Sequence, residues 1–133
     1  MEIPEHFELL PSSPFSERIG PLYVNWRDSV PVIGVRIAPH HANRAGRAHG
    51  GLLMTLADIA LSRAVREQVP SGATFATADL HVAFLEALGQ DQWLEAVPSV
   101  DRIGRALIHG SCLLSANGRN VARAMGTFAV RLG

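Results

Sequence analysis

Residues 43 to 65 read NRAGRAHGGLLMTLADIALSRAV, a Gly-Gly turn running into an apolar helix that holds one carboxylate, Asp58. Two parts of this stretch could do chemistry. At His49-Gly50-Gly51 two glycines lead into a helix N-terminus, where unpaired backbone N–H groups and the helix dipole favour developing negative charge. An oxyanion hole has that physical requirement. Asp58 is the only charge between Leu52 and Ser62. It is either a functional carboxylate or a structural acid satisfied by an amide or an arginine. Thr55 and Ser62, three and four residues away on the helix, could give it hydroxyl hydrogen bonds.

Gly50 and Asp58 lie roughly 12 Å apart along the helix, at about 1.5 Å per residue. One helix therefore cannot present both to the same substrate atom. Two antiparallel copies at a dimer interface would set one chain's turn beside the other chain's acid.

The elements that must position these groups can be read from pattern. The helix is expected from Leu52 to about Gln68, stopping before Pro70, with Arg63 and Arg66 near its C-terminal end, where the dipole favours cations. Leu52, Leu56, Ile59 and Ala60 form one face, while Met54, Leu61 and Val65 cluster with Asp58 on the other. A helix apolar on both sides is expected to be buried on both sides. Upstream, a short helix over Pro4–Leu10 is possible, and LYVNWR and VIGVRIA read as a hairpin around DSVP. Downstream, TADLHVAFL, WLEAVPSV, RALIHGSCLLSA and VARAMGTFAVRL read as a meander of four antiparallel strands. Asn117-Gly118 is the strongest hairpin signal among their turns. The expectation is an α+β domain with one long helix against an antiparallel sheet.

Composition narrows the function classes. At 133 residues, 47% apolar and 18% charged, the chain suits a single globular domain over 1–133, with residues 1–20 as an N-terminal extension packing on it. A net charge of zero points away from nucleic-acid and membrane partners. All 12 bases are arginine, which excludes a Schiff-base lysine and a P-loop lysine. The single Cys112 allows no disulfide within the chain. The N-terminus lacks the pattern of a secretory signal, so a cytoplasmic location is expected.

The histidines lack the spacing of a metal site, so no metal is expected. His40 and His41 are expected to be exposed in a loop, and His81 partly buried on a strand. There is no G-x-S-x-G elbow for a serine nucleophile. Cys112, inside an apolar strand, reads as core packing, and Trp26 and Trp93 as sheet packing. Gly46 and Gly104 read as turn glycines.

Asn43-x-x-Gly46-x-x-His49-Gly50-Gly51 followed by Leu56-Ala57-Asp58 resembles the signature of hotdog-fold acyl-CoA thioesterases, in particular the PaaI-like branch associated with phenylacetate degradation. SPF…GPLY, TADLHVAFLEAL, DRIGRALIHGSCLL and VARAMGTFAV extend the likeness over roughly residues 13 to 130. The resemblance implies the hotdog fold, a curved antiparallel sheet wrapped around one long central helix. It also implies a homodimer or dimer of dimers that hydrolyses acyl-CoA without a cofactor at the dimer interface.

Carried onto this sequence, Gly50 N–H polarises the thioester carbonyl, with Gly51 beside it in the substrate-binding turn. Asn43 orients the carbonyl or the water, and His49 supports the loop. Asp58 of the partner chain serves as general base or as nucleophile, and Thr77 helps hold the water. Where relatives often show Arg-Pro or Lys-Pro after the FL of this strand, this chain has Glu86-Ala87. Contacts to the CoA phosphates would then fall to Arg102, Arg105 or Arg119. The alternatives are a hydratase or dehydratase acting on acyl thioesters and a non-catalytic acyl-thioester binding protein.

Overall fold

The computed structural model describes residues 2–132. Its elements run β1 (Glu8–Leu9), α1 (Pro14–Ile19), β2 (Tyr23–Arg27), β3 (Val30–Arg36), a 3₁₀ turn (Pro39–His41), α2 (Gly50–Gln68), β4 (Thr74–Phe84), β5 (Trp93–Ile103), β6 (Leu107–Ala116) and β7 (Arg119–Arg131). One seven-stranded sheet has the order β1-β2-β3-β5-β6-β7-β4, with every neighbouring pair antiparallel. α2 packs across one face of it.

Two turns behave as their residues require. Asp28-Ser29 and Asn117-Gly118 both adopt positive φ at two successive positions, the two-residue hairpin geometry whose twist matches the strands it joins. The N-terminal helix is not where Pro4 pointed. Residues 8–9 add a short strand beside β2, and the helix begins at Pro14 instead. There Ser13 accepts from Ser16 N–H and Ser16 Oγ accepts from Ser13 N–H, closing a capping box with proline in the first turn. At six residues the helix is too short to show a period.

The four-strand meander also needs correction. β5, β6 and β7 are consecutive neighbours, but β4 lies beyond β7 at the sheet edge. α2 carries the chain from β3 across the sheet face to that far edge, and residues 85–92 return across the strand ends to β5. Three strand spacings of about 4.8 Å are well within the reach of eight residues at roughly 3.3 Å each.

The core lies between α2 and the sheet. Leu52, Leu56, Ala57, Ala60, Leu61 and Val65 are buried against Ile33, Val35, Leu94, Ile108, Leu114 and Phe128. Gly110 and Gly126, paired across β6 and β7, let the helix approach closely. A Cβ on Gly110 would sit 2.9 Å from Leu61 Cδ2 and 3.0 Å from Ser99 O, and one on Gly126 would sit 3.1 Å from Leu61 Cδ1. The helix is buried on one broad face only. Leu61 and Val65 belong to that face, whereas Met54 is exposed and Asp58, at the side of the helix beside β4, keeps part of its solvent exposure.

Candidate active site

α2 starts at Gly50, with His49 as its N-cap in extended conformation (φ −67°, ψ 135°). His49 Nδ1 accepts the N–H of Gly51 at 2.8 Å, and His49 O accepts that of Leu52 at 2.9 Å. The Gly50 N–H has no acceptor among the described residues. Of the first three amides, Gly50's is therefore the one free to meet a substrate oxygen. Gly51 contributes its lack of a side chain, since a Cβ there would lie 3.0 Å from His49 Nδ1.

The preceding loop is held by Asn43. Its Oδ1 accepts from Ala45 N–H at 2.9 Å and Arg47 N–H at 3.1 Å, while Gly46 takes φ +80° to close the turn. With the carbonyl oxygen engaged, Asn43 has its side-chain NH₂ left to offer outward, a donor and not an acceptor. Beneath the loop, His49 N–H donates to His41 O, and Ala48 N–H to Leu88 O.

His41 is buried, contrary to expectation. Its Nδ1 accepts Ala38 N–H at 2.9 Å, and its Nε2 lies 2.5 Å from Ile19 O, an arrangement of one acceptor and one donor that suits the neutral ring. Burial lowers its pKa below 6.5, opposed by the hydrogen bond to Ile19 and aided by His40. His81 departs the other way and is exposed on β4.

Asp58 meets a hydroxyl from the sheet instead of from its own helix. Thr77 Oγ1 donates to Asp58 Oδ1 at 2.6 Å, while Thr55 Oγ1 turns back to Gly51 O at 2.8 Å. The β4–β7 register shifts between Thr77 and Asp79, a bulge of the kind that re-aims a side chain near a functional site.

The two chemical groups line different hollows of one chain. Gly50 and Asn43 open onto one of about 360 Å³ with Arg47, Leu53, Phe84 and Glu86. Asp58 opens onto another of about 400 Å³ with Leu10, Phe15, Thr55, Ile59 and Arg63. Thr77 and Asp58 are thus brought together, as are Asn43, His49, Gly50 and Gly51, but the two groups stay apart.

Arg102 and Arg105 are exposed at the β5–β6 turn. The neighbouring Ile103 shares a hollow with Glu67 and Gln68 at the C-terminal end of α2. Both arginines therefore lie at the end of the sheet opposite their own chain's Gly50. Arg119 is at the Gly50 end, with its Nε 3.4 Å from Glu86 Oε2. Sequence reasoning missed Arg47, although a base three residues before the free amide was a readable signal. It also missed the Leu10–Ser16 wall beside Asp58, which no local pattern announces.

Residues 45–122 match the model of a family described as the thioesterase superfamily. The chain belongs to the thioesterase superfamily. Over 131 residues it is 35% identical to the Pseudomonas aeruginosa protein named "Putative esterase PA0474", covering 96% of this chain and 97% of that protein. Its structure is similar to that of the BH2602 protein from Bacillus halodurans with CoA (TM-score 0.71, 29% identity, 75% of this chain and 66% of that one). It is also similar to a single-residue mutant of the phenylacetic acid degradation protein PaaI from Thermus thermophilus (TM-score 0.78, 25% identity, 88% of this chain and 98% of that one). The antiparallel sheet around one long helix is the hotdog fold of this superfamily, whose reaction class is thioester hydrolysis.

Proposed function

We propose that this thioesterase hydrolyses acyl-CoA at two equivalent sites in a homodimer, each built from the Gly50 turn of one protomer and the Asp58–Thr77 pair of its partner. The observation that carries the reading is the separation of those groups into two hollows on one chain. Each hollow holds half of the chemistry and lacks the other half. The free edge of β4 and the partly exposed Met54–Asp58 side of α2 support the same reading, because a long unpaired edge strand invites a second copy.

In the composite site the thioester carbonyl oxygen accepts from Gly50 N–H, reinforced by the helix dipole. Asn43 NH₂ is a second donor beside it. Asp58 of the partner takes a proton from water through Oδ2 while Thr77 holds Oδ1. The hydroxide equivalent adds to the carbonyl carbon, and the tetrahedral intermediate collapses by breaking the C–S bond, the proton held by Asp58 passing to the departing thiolate sulfur. The products are the free acid and the CoA thiol. Arg47, which lines the Gly50 hollow, is the base assigned to the CoA arm, and the reaction calls for no metal or organic cofactor.

Free-thiol release from phenylacetyl-, benzoyl-, short and long aliphatic acyl-CoAs tests the proposal. Asp58→Asn is expected to lower release by about 10² or more, as for loss of a general base. Loss of enoyl-thioester absorbance without thiol release would point to a hydratase instead. Binding without turnover by the wild type would point to a non-catalytic binding protein.

A further inference from the structure

Resting on the placement of the reacting carbonyl near Asp58, the structure also bears on the acyl group. The hollow beside Asp58 winds around α2 from Asp58 through Ser62, Thr55 and Ile59 to Arg63, an arc of about 140° with a rise of roughly 7.5 Å along the axis. The N-terminal segment closes its outer side, with Leu10 buried and Phe15 at the rim. Its middle is mixed, with the side chains of Leu10, Phe15 and Ile59 beside the hydroxyl residues Thr55 and Ser62, and its two ends carry opposite charge.

Arg63 at the far end is partly buried. Among the described residues no carboxylate lies within 4 Å of its guanidinium. Arg66, less than a turn further on, contrasts with it. Its two terminal nitrogens donate to Ala73 O at 2.8 Å and Pro70 O at 2.5 Å, which ties down the loop after the helix. Arg66 is structural, whereas the donors of Arg63 have no partner among the described residues and stay open to the hollow and to solvent. A guanidinium is a planar fork of donors that matches a carboxylate in paired geometry. Asp58 repels a carboxylate from the reacting end of the same hollow, which fixes the direction in which such a substrate enters.

We propose that Arg63 selects acyl groups ending in a carboxylate, so that short dicarboxylic acyl-CoAs are the preferred substrates. The methylenes of such a group lie between Leu10 and Ile59, the thioester carbonyl beside Asp58, and the distal carboxylate on Arg63.

The test compares thiol release from succinyl-, glutaryl- and adipyl-CoA with release from butyryl-, valeryl- and hexanoyl-CoA, matched in carbon number. The expected ratio of kcat/KM in favour of the best dicarboxylic member is about tenfold or more, the size of one charge-assisted contact. Arg63→Gln should collapse that ratio toward one, chiefly through a higher KM for the dicarboxylic substrate. Arg63→Lys should keep part of it, and Arg63→Glu should reverse it in favour of 4-aminobutyryl-CoA. Circular dichroism confirms that each variant folds.

A wild-type ratio at or below one overturns the proposal without any variant, as does a ratio that Arg63→Gln leaves intact. Either result with thiol released from the monocarboxylic series leaves the acyl-CoA hydrolase reading standing. Absence of release from every acyl-CoA overturns both.

Discussion

Thr77 Oγ1 and Asp58 Oδ1 lie 2.6 Å apart, joining a strand at the sheet edge to the middle of the central helix. The bond occupies one carboxylate oxygen and leaves the other free, so the acid is oriented by a neighbour that itself sits at a bulge. Thr77→Val removes the donor and keeps the shape. A hydrogen bond to a charged group lost at a partly exposed site predicts a fall in kcat of about tenfold with KM little changed. Thr77→Ser should recover most of it. Steady-state kinetics on one acyl-CoA checks both, and equal kcat in Thr77→Val and wild type would remove Thr77 from the site.

His41 makes stability depend on pH. Unfolded, it titrates near 6.5, and in the folded chain burial holds its pKa below that value. Between the two values the unfolded state binds the additional proton, so stability declines as pH falls through 6.5 and levels off below the folded pKa. Tm measured from pH 7.5 down to 5 should show this slope. His41→Asn should be less stable at pH 7.5, because the bonds to Ala38 and Ile19 are lost, and its slope over the same range should be shallower.

Cys112 is buried on β6, and burial pushes its thiol pKa up to about 12. The thiolate is the reactive form, so the folded protein should resist aromatic disulfide reagents at pH 8 and react with one equivalent once unfolded in guanidinium. Activity should survive prolonged exposure of the folded enzyme to the reagent.

Gly110 should be intolerant of any side chain. Its Cβ would meet Ser99 O, which is backbone, as well as Leu61. Gly110→Ala should therefore cost about 1–3 kcal/mol in urea unfolding, the usual range for overpacking. Gly126→Ala meets only side-chain atoms and should cost less.

Much of this arrangement is legible in the sequence. The α2 span, the two positive-φ hairpins and the free amide at Gly50 follow from local rules, because glycine placement, turn chemistry and helix ends are decided within a few residues. The position of β4 is not legible. Its pattern suits a neighbour on either side, and only the crossover through α2 sends it to the edge. The burial of His41 is hidden for the same reason, since its partner Ile19 is 22 residues away. Asp58 stands out by its isolation on an apolar helix, yet its hydroxyl partner comes from 19 residues on. Thr55, the local candidate, spends its hydroxyl on the helix backbone.

The most direct test of the composite site is activity from two inactive halves. Gly50→Pro removes the free N–H at a first helical position where proline is at home, and the extended His49 before it is the conformation a following proline demands. Asp58→Asn removes the base. Each variant alone should be nearly inactive. Co-expressed and randomly paired, half of the dimers carry one intact site of two, so thiol release should recover to about a quarter of wild type. Recovery to no more than the average of the two parents, with heterodimers demonstrated by mass spectrometry, would contradict a site shared between protomers.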